Sequence, residues 1–333
     1  NVIPALVFFI FLLSMVDLEA ARLGLRGIPP EETPRVSDVI AKGWHFFMPL
    51  VVVIGLLFAG FSAEFCAFWG TISAAVLSWR NRETRMGPKA VLQGLIGGAQ
   101  SNSSAGAAIG TLGIIIGGIV LAGLGLKFSS VLIDFSGGNL FVAICLVTLV
   151  SIIIGMGSST TGSYIILSVV AAPALIQLGV PTVAAHLAVF YAACLSNITP
   201  PVCVAAFAGA AIAKAPPMKT GFSALKYGAT IIIMPFSFAY VPELLLIGEW
   251  PDIIYSSLLY MTGAIIMAIA IQGIAPVGPR LSILNRILFG LAAALLIFPA
   301  NLWIDATGIL LMGIAIAMAW FMAAKQHKTH ASG

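Results

Sequence analysis

Apolar residues in this chain come in long unbroken runs, and the informative positions are the few polar ones that interrupt them. The runs 141–154 and 165–178 flank a polar, glycine-rich tip, Gly155-Met-Gly-Ser-Ser-Thr-Thr-Gly-Ser-Tyr164. Each arm is short for a bilayer span, which takes about 20 apolar residues; runs of about 10–14 are more often re-entrant or buried. Irregular backbone at membrane depth survives only where protein buries it or water lines it. The pattern therefore predicts a re-entrant helical hairpin over roughly 139–180. A second polar break, Ser196-Asn-Ile-Thr-Pro-Pro201, interrupts the next apolar stretch and predicts a broken helix over roughly 183–213. Two interrupted segments of this kind point to a transporter binding site.

The rest of the chain reads in order as helices and surface loops. Residues 1–16 predict a short helix, and 17–42 a polar segment that is part helix (18–23) and part loop, broken by Pro29, Pro30 and Pro34. The stretches 44–60 and 62–79 predict two helices joined by a tight turn, with Trp44, Trp69 and Trp79 suited to interfaces. Glu64 reads as a turn residue at the water boundary. Residues 90–105 are polar and amphipathic, with Ser101–Ser104 either lining a solvated cavity or starting a helix. A glycine-rich helix is expected over 106–126, its small residues permitting close helix approach. Further helices are expected over 230–247, kinked at Pro235, then over 253–272, 288–299 and 304–323, with a frayed basic tail. The basic loops at 80–89, 214–226, 280–286 and 325–328 fall on one side of this arrangement and the acidic turn 249–252 on the other. The positive-inside rule makes the basic side cytoplasmic.

Composition confirms the class. The chain is 60% hydrophobic and 8% charged, with a mean hydropathy of +1.08, whereas soluble domains carry about 25% charged residues. This is an all-α multi-pass membrane protein. Continuous apolar runs exclude the alternating segments of a β-barrel. The net charge of +4 lies in loops and reads as topology, not nucleic-acid binding. Cys66, Cys145, Cys194 and Cys203 sit inside apolar stretches without metal-ligand spacing and read as small hydrophobic residues. The start at Asn1, inside an apolar run, lacks the marks of a signal peptide and reads as a chain met partway through a membrane domain: a fragment, a split subunit or a proteolysed half.

The two breaks suit a sodium ion and an anionic substrate. Hard cations are served by carbonyl, hydroxyl and carboxylate oxygens, and no carboxylate lies between Asp134 and Glu243. Unwound carbonyls and half-helix C-termini can take their place, while half-helix N-termini favour an anion. The candidate sodium positions are Gly155, Gly157, Thr160, Thr161, Asn197, Thr199 and Pro200. The candidate substrate contacts are Ser158, Ser159, Thr160 and Asn197. His186 reads as a satisfied, helix-bridging histidine, with a proton-relay role as the alternative.

Gly155-Met-Gly with Thr160-Thr161, Ala184-Ala-His, Phe190-Tyr191, Ser196-Asn-Ile-Thr-Pro-Pro201, Lys219-Thr-Gly221 and Pro235-Phe occur in that order. Together they resemble the large (M-type) membrane subunit of TRAP transporters, the tripartite ATP-independent periplasmic transporters, in the fused TAXI-associated branch. The resemblance implies the C-terminal portion of an elevator-type importer: a scaffold or arm region over 1–90, a second-repeat transport region over 91–250 and C-terminal helices over 251–333, in one membrane domain. It implies sodium-driven uptake of small organic anions such as carboxylates. The partners implied are an extracytoplasmic TAXI-type binding protein, an N-terminal half of the permease and a small Q-type membrane domain. The place implied is the cytoplasmic membrane of a bacterium or archaeon. Only the second-repeat hairpin is present, so the chain is expected not to transport alone. The family has proline before the paired threonines and alanines after them; here Ser158-Ser159 precede and Gly162-Ser163 follow, which adds hydroxyls to the tip.

Other classes fit less well. An enzyme needs a nucleophile and base or a metal cluster, and the sequence shows no such motif. A passive channel would explain the glycine-rich tip as a pore loop but not the second break. A sodium-coupled elevator carrier without a binding protein is the remaining alternative.

Overall fold

The computed structural model describes residues 2–331 except 26, 28, 30–32, 34, 81–83, 157–159, 275–280 and 300. Side chains are further undescribed at 42, at eight positions between 101 and 112, and over 323–331. Every regular element among the described residues is a helix apart from one isolated bridge residue, as expected of an all-α membrane protein. The helices are α1 (Val2–Leu23), α2 (Val36–Phe58), α3 (Ala63–Leu77), α4 (Pro88–Leu121), α5 (Leu124–Ser136), α6 (Leu140–Gly155), α7 (Thr160–Val170), α8 (Ala172–Gln177), α9 (Thr182–Leu195), α10 (Val204–Ala213), α11 (Pro217–Tyr227), α12 (Ala229–Tyr240), α13 (Trp250–Gln272), α14 (Ile283–Ile297) and α15 (Leu302–Ala331). Four stretches are long and apolar enough to cross a membrane: Val2–Leu23, Pro217–Tyr240, Trp250–Gln272 and Leu302–Met322. The pair Gly113–Leu121 and Leu124–Ser136, bent by 72°, makes a fifth if counted as one broken span.

The chain divides into two compact units, 26–110 and 1–25 with 111–333. In the smaller unit α2 packs on α3 across a tight turn. Ser62 caps α3, its side chain accepting from the Phe65 amide at 3.4 Å, which satisfies one of the orphan donors of a helix start. The Glu64 carboxyl is held below its usual range by a backbone N–H and then by the Ser62 hydroxyl, as befits an exposed turn. Beyond α3, the Trp79 indole donates to the Met86 carbonyl at 2.7 Å, and the Arg80 and Arg85 guanidinium groups lie 5.7 and 5.9 Å from the Trp44 and Trp79 ring centroids.

The larger unit has a smaller core among α13, α14 and α15 and one extended core. Phe11 and Met15 of α1, Ile144 of α6, Leu167 of α7, Met234 and Phe238 of α12 and Tyr260 of α13 are wholly buried in it. Helix α9 runs through this core on alanines, Ala184, Ala185, Ala188, Ala192 and Ala193, all wholly buried. Such small side chains let neighbouring backbones approach closely, the packing that replaces hydrophobic drive inside a bilayer. The one large phenol in the core is satisfied: Tyr260 Oη lies 2.7 Å from Ser237 Oγ.

Charge segregates along this unit. Toward one end, Glu19 of α1 pairs with Arg22 and with Lys226 of α11, the latter at 3.5 Å. Lys226 donates to Gln272 at the end of α13, and Gln272 donates to the Met15 carbonyl at 2.8 Å. Arg286 of α14 donates to the Ala270 and Ile271 carbonyls at 2.9 and 3.0 Å. The opposite end gathers the close of α12, the start of α13, the close of α14 and the start of α15: Tyr240 meets Phe298 at 6.3 Å between centroids, and Tyr255 donates to Asp305 at 2.8 Å.

Several boundaries differ from those read in the sequence, each for a tertiary reason. Helix α1 does not stop at residue 16 but runs to Leu23, because Glu19 and Arg22 have partners there and Leu18 is buried. The polar stretch 90–105 and most of the glycine-rich stretch form one helix, α4, so Ser101–Ser104 lie mid-helix and start nothing. The expected helix over 106–126 ends at Leu121, where Gly123, with φ of 63°, turns the chain into α5. Lys219 and Lys226, read as loop residues, stand on α11, and the span expected from 230 begins at Pro217. It closes at Tyr240 instead of 247, in a 3₁₀ turn over Pro242–Leu245.

Helices α6 to α8 form the hairpin. Asn139 caps its first arm by accepting from the Val142 amide at 3.2 Å. The second arm is itself interrupted at Ala171, between α7 and α8. At the foot of the first arm Phe141 meets Phe236 at 5.1 Å, beside Tyr240 and Phe298, so this arm enters from the acidic end. The second arm leads back along α9 toward the start of that helix. Single cysteines placed from 141 to 178 are therefore expected to react with an impermeant reagent at both arm ends from one side of the membrane. Reaction of the two ends from opposite sides would show a spanning pair instead.

Candidate functional site

Four helix ends meet where the hairpin touches the broken helix. Helix α6 closes at Gly155, and Met156 leaves helical geometry, with φ of −63° and ψ of 111°. Helix α7 opens at Thr160. Helix α9 closes at Leu195, and the chain runs irregularly through Ser196–Cys203 before α10 opens at Val204. The Pro200–Pro201 peptide bond is cis.

Two contacts join tip and break. The Asn197 side-chain amide donates to Thr160 Oγ1 at 2.9 Å across 37 residues of sequence. Gly155 lies flat against Ser196; a Cβ on Gly155 would stand 2.6 Å from Ser196 Cβ and closer still to Ser196 Oγ. Ser196 is fixed there, buried, with its hydroxyl donating to the Ala193 carbonyl at 2.7 Å. One turn further along α7, Tyr164 Oη lies 3.2 Å from His186 Nδ1 and the Tyr164 ring meets Phe190 edge-on. His186 thus bridges α9 to the hairpin arm.

The break keeps its shape through its own backbone. The Ala205 amide donates to the Asn197 carbonyl at 3.2 Å, the Cys203 amide to the Thr199 carbonyl at 3.3 Å, and the Thr199 hydroxyl to the Leu195 carbonyl at 2.7 Å. Among the described residues the carbonyls of Ser196, Ile198 and Pro200 accept no backbone hydrogen bond. A proline has no N–H to give, so Pro200 and Pro201 leave upstream carbonyls without their usual donors. Helix α11 braces the far side. A Cβ on Gly221 would lie 2.7 Å from Cys203 Sγ and 3.3 Å from Pro200 Cγ, and one on Gly228 would collide with Ile198 Cδ1.

The structure thus brings Gly155, Thr160 and Asn197 together, with Thr199 and Pro200 in the same irregular segment. Thr161 stands exposed on the first turn of α7. Gly157, Ser158 and Ser159 lie outside the described residues. Ser196, Gly221 and Gly228 shape the site although no ligand role was assigned to them. Their signal in the sequence is weak, because a glycine marks a close approach only once the opposing segment is known.

Chemically, the site offers oxygen and helix dipoles without a carboxylate. Two helix C-termini, of α6 and α9, present carbonyl oxygen and partial negative charge; two N-termini, of α7 and α10, present the opposite. Among the described residues, no group of three His, Cys, Asp or Glu side chains is placed to hold a metal ion.

A family model described as "Tripartite ATP-independent periplasmic transporter, DctM component" matches residues 1–253. The chain belongs to this family. It is therefore a membrane component of a TRAP-type secondary transporter, and the hairpin and broken helix both lie within the matched stretch. Helices α14 and α15, with most of α13, lie beyond it. No curated protein and no solved structure matches the chain.

Proposed function

We propose that this DctM-family chain forms the ion and substrate core of a sodium-coupled importer of small organic anions such as carboxylates, fed by an extracytoplasmic binding protein of the TAXI type. The observation that carries this reading is the Asn197–Thr160 hydrogen bond, which closes two interrupted helices on each other in a stretch without carboxylates. Oxygen there is plentiful: Asn197 Oδ1, the Thr160 and Thr199 hydroxyls and the carbonyls of Ser196, Ile198 and Pro200. These groups fit a dehydrated monovalent cation. The openings of α7 and α10 supply the positive ends that an anion needs. In this reading 91–250, packed on α1, carries substrate in an elevator movement against the remainder of the complete transporter, with 251–333 as accessory helices. The complete transporter adds an N-terminal half and a small Q-type domain. It sits in the cytoplasmic membrane of a bacterium or archaeon with its basic end inside.

The test is uptake by the complete transporter reconstituted with its binding protein. Thr160→Val and Thr199→Val each remove a hydroxyl at nearly constant volume. Losing one such interaction costs about 1–3 kcal/mol, so the sodium concentration for half-maximal uptake is expected to rise roughly tenfold. Unchanged sodium dependence in both variants would reduce these hydroxyls to packing groups. A changed substrate affinity at constant sodium dependence would assign them to the substrate, and uptake without sodium would favour a channel.

A further inference from the structure

The acidic end of the larger unit holds a cleft that the transport site does not use. Its volume is about 250 Å³, and Glu243, Asp252, Tyr255, Ser256, Asn301 and Asp305 line it. Asp305 is 3% exposed; its Oδ2 accepts from Tyr255, while its Oδ1, also buried, has no hydrogen-bond partner among the described residues. Among those residues the ion pairs are all formed by Glu19, so Glu243, Asp252 and Asp305 have no basic counterpart. Among the described residues they also form no group of three placed to hold a metal ion. Beside this cleft, sharing Pro299, lies an apolar one of about 460 Å³ lined by Phe141, Phe236, Tyr240 and Phe298.

We infer that the acidic cleft is a socket for one basic side chain, arginine above all, on the soluble binding protein, with an apolar neighbour of that side chain resting on the aromatic cleft. The inference rests on the transporter reading and its orientation, which turn this end outward. A guanidinium presents five donors over a plane and suits carboxylates that are not placed as a group to hold a metal ion. A buried carboxylate oxygen without a donor is costly alone, and an entering N–H would satisfy it. Arginine and aromatic contacts are also the groups that dominate protein interfaces. A zwitterionic lipid headgroup would bring a phosphate next to its amine, against three carboxylates. A free amine in so open a cleft would be held only by screened contacts.

The probe is the transporter's own binding protein, and the receptor is the complete transporter in phosphatidylcholine nanodiscs. Asp252→Asn and Glu243→Gln, both at exposed or half-exposed positions, are each expected to weaken docking about tenfold at low salt and to flatten its salt dependence. Asp252→Glu is expected to dock as the wild type does, and uptake at saturating binding protein to stay unchanged in all three. Wild-type docking that both neutralised variants retain would overturn the socket alone. Failure of the wild type to dock would overturn the transporter reading with it. Docking that requires added phosphatidylethanolamine in the wild type, but not in the variants, would make the occupant a lipid amine and overturn the proposal.

Discussion

Replacing Gly155 by alanine is expected to abolish most uptake while leaving the helices folded. The new Cβ would stand 2.6 Å from Ser196 Cβ, an atom fixed to the main chain that no rotamer change can move. Ser196 cannot yield, since it is buried and its hydroxyl is bonded to Ala193. Overpacking of this kind costs about 1–3 kcal/mol. It falls on the contact that holds the tip to the break, so a ten- to hundredfold loss of uptake is expected. The double variant Gly155→Ala/Ser196→Gly deletes the opposing atoms and is expected to recover part of the activity, a coupling that a double-mutant cycle reads directly. Normal uptake by Gly155→Ala would mean that the hairpin tip does not rest on Ser196.

Gly221→Ala is expected to act from the other side of the break. Its Cβ would press on Cys203 Sγ at 2.7 Å and on the Pro200 ring at 3.3 Å. Cys203 is wholly buried, so the strain passes into 200–203, the end of the irregular segment, where the free Pro200 carbonyl is a candidate cation ligand. A shift of a few tenths of an ångström there is expected to raise the sodium requirement severalfold, again within about 1–3 kcal/mol of overpacking. Cys203→Ala removes the sulfur and leaves Cys203 Cβ at an ordinary 3.8 Å, with the Pro200 ring still close at 3.3 Å, so the double variant is expected to recover in part. If Gly221→Ala lowers protein yield but leaves sodium dependence unchanged in what remains, α11 supports the fold and not the ion site.

The hairpin and the broken helix were legible because their signal is local: an apolar run that stops too soon, a polar tip and a second run. The membrane class followed from composition in the same way. What escaped was whatever depends on a distant partner. Glu19 reads as one more charge of a polar surface segment until Lys226, more than 200 positions away, is placed beside it. The serine tract at 101–104 reads as the lining of a solvated cavity or as a helix start, and it lies mid-way along a helix of 34 residues, so it starts none. Thr160 and Asn197 stand out as polar residues in uncharged stretches, but that one donates to the other is a fact of tertiary packing. Gly221 and Gly228 gave no sign of what they face.

The way the hairpin is fastened also sets what it costs to release. Its arms are anchored by wholly buried side chains, Ile144 on α6, Leu167 on α7 and Leu175 on α8. Each is worth about 1.5–3 kcal/mol of burial. Near the tip the fastening includes a glycine contact and side-chain hydrogen bonds at Thr160 and Tyr164. Such bonds are worth about 1 kcal/mol each once water can replace them. Parting the Thr160–Asn197 bond therefore takes less work than drawing any one of these arm side chains out of the core. Exchanging the Asn197–Thr160 bond for water would wet the space beside Gly155 while the core around α9 stays closed, so this seam is a place where the protein can open a path to its own interior.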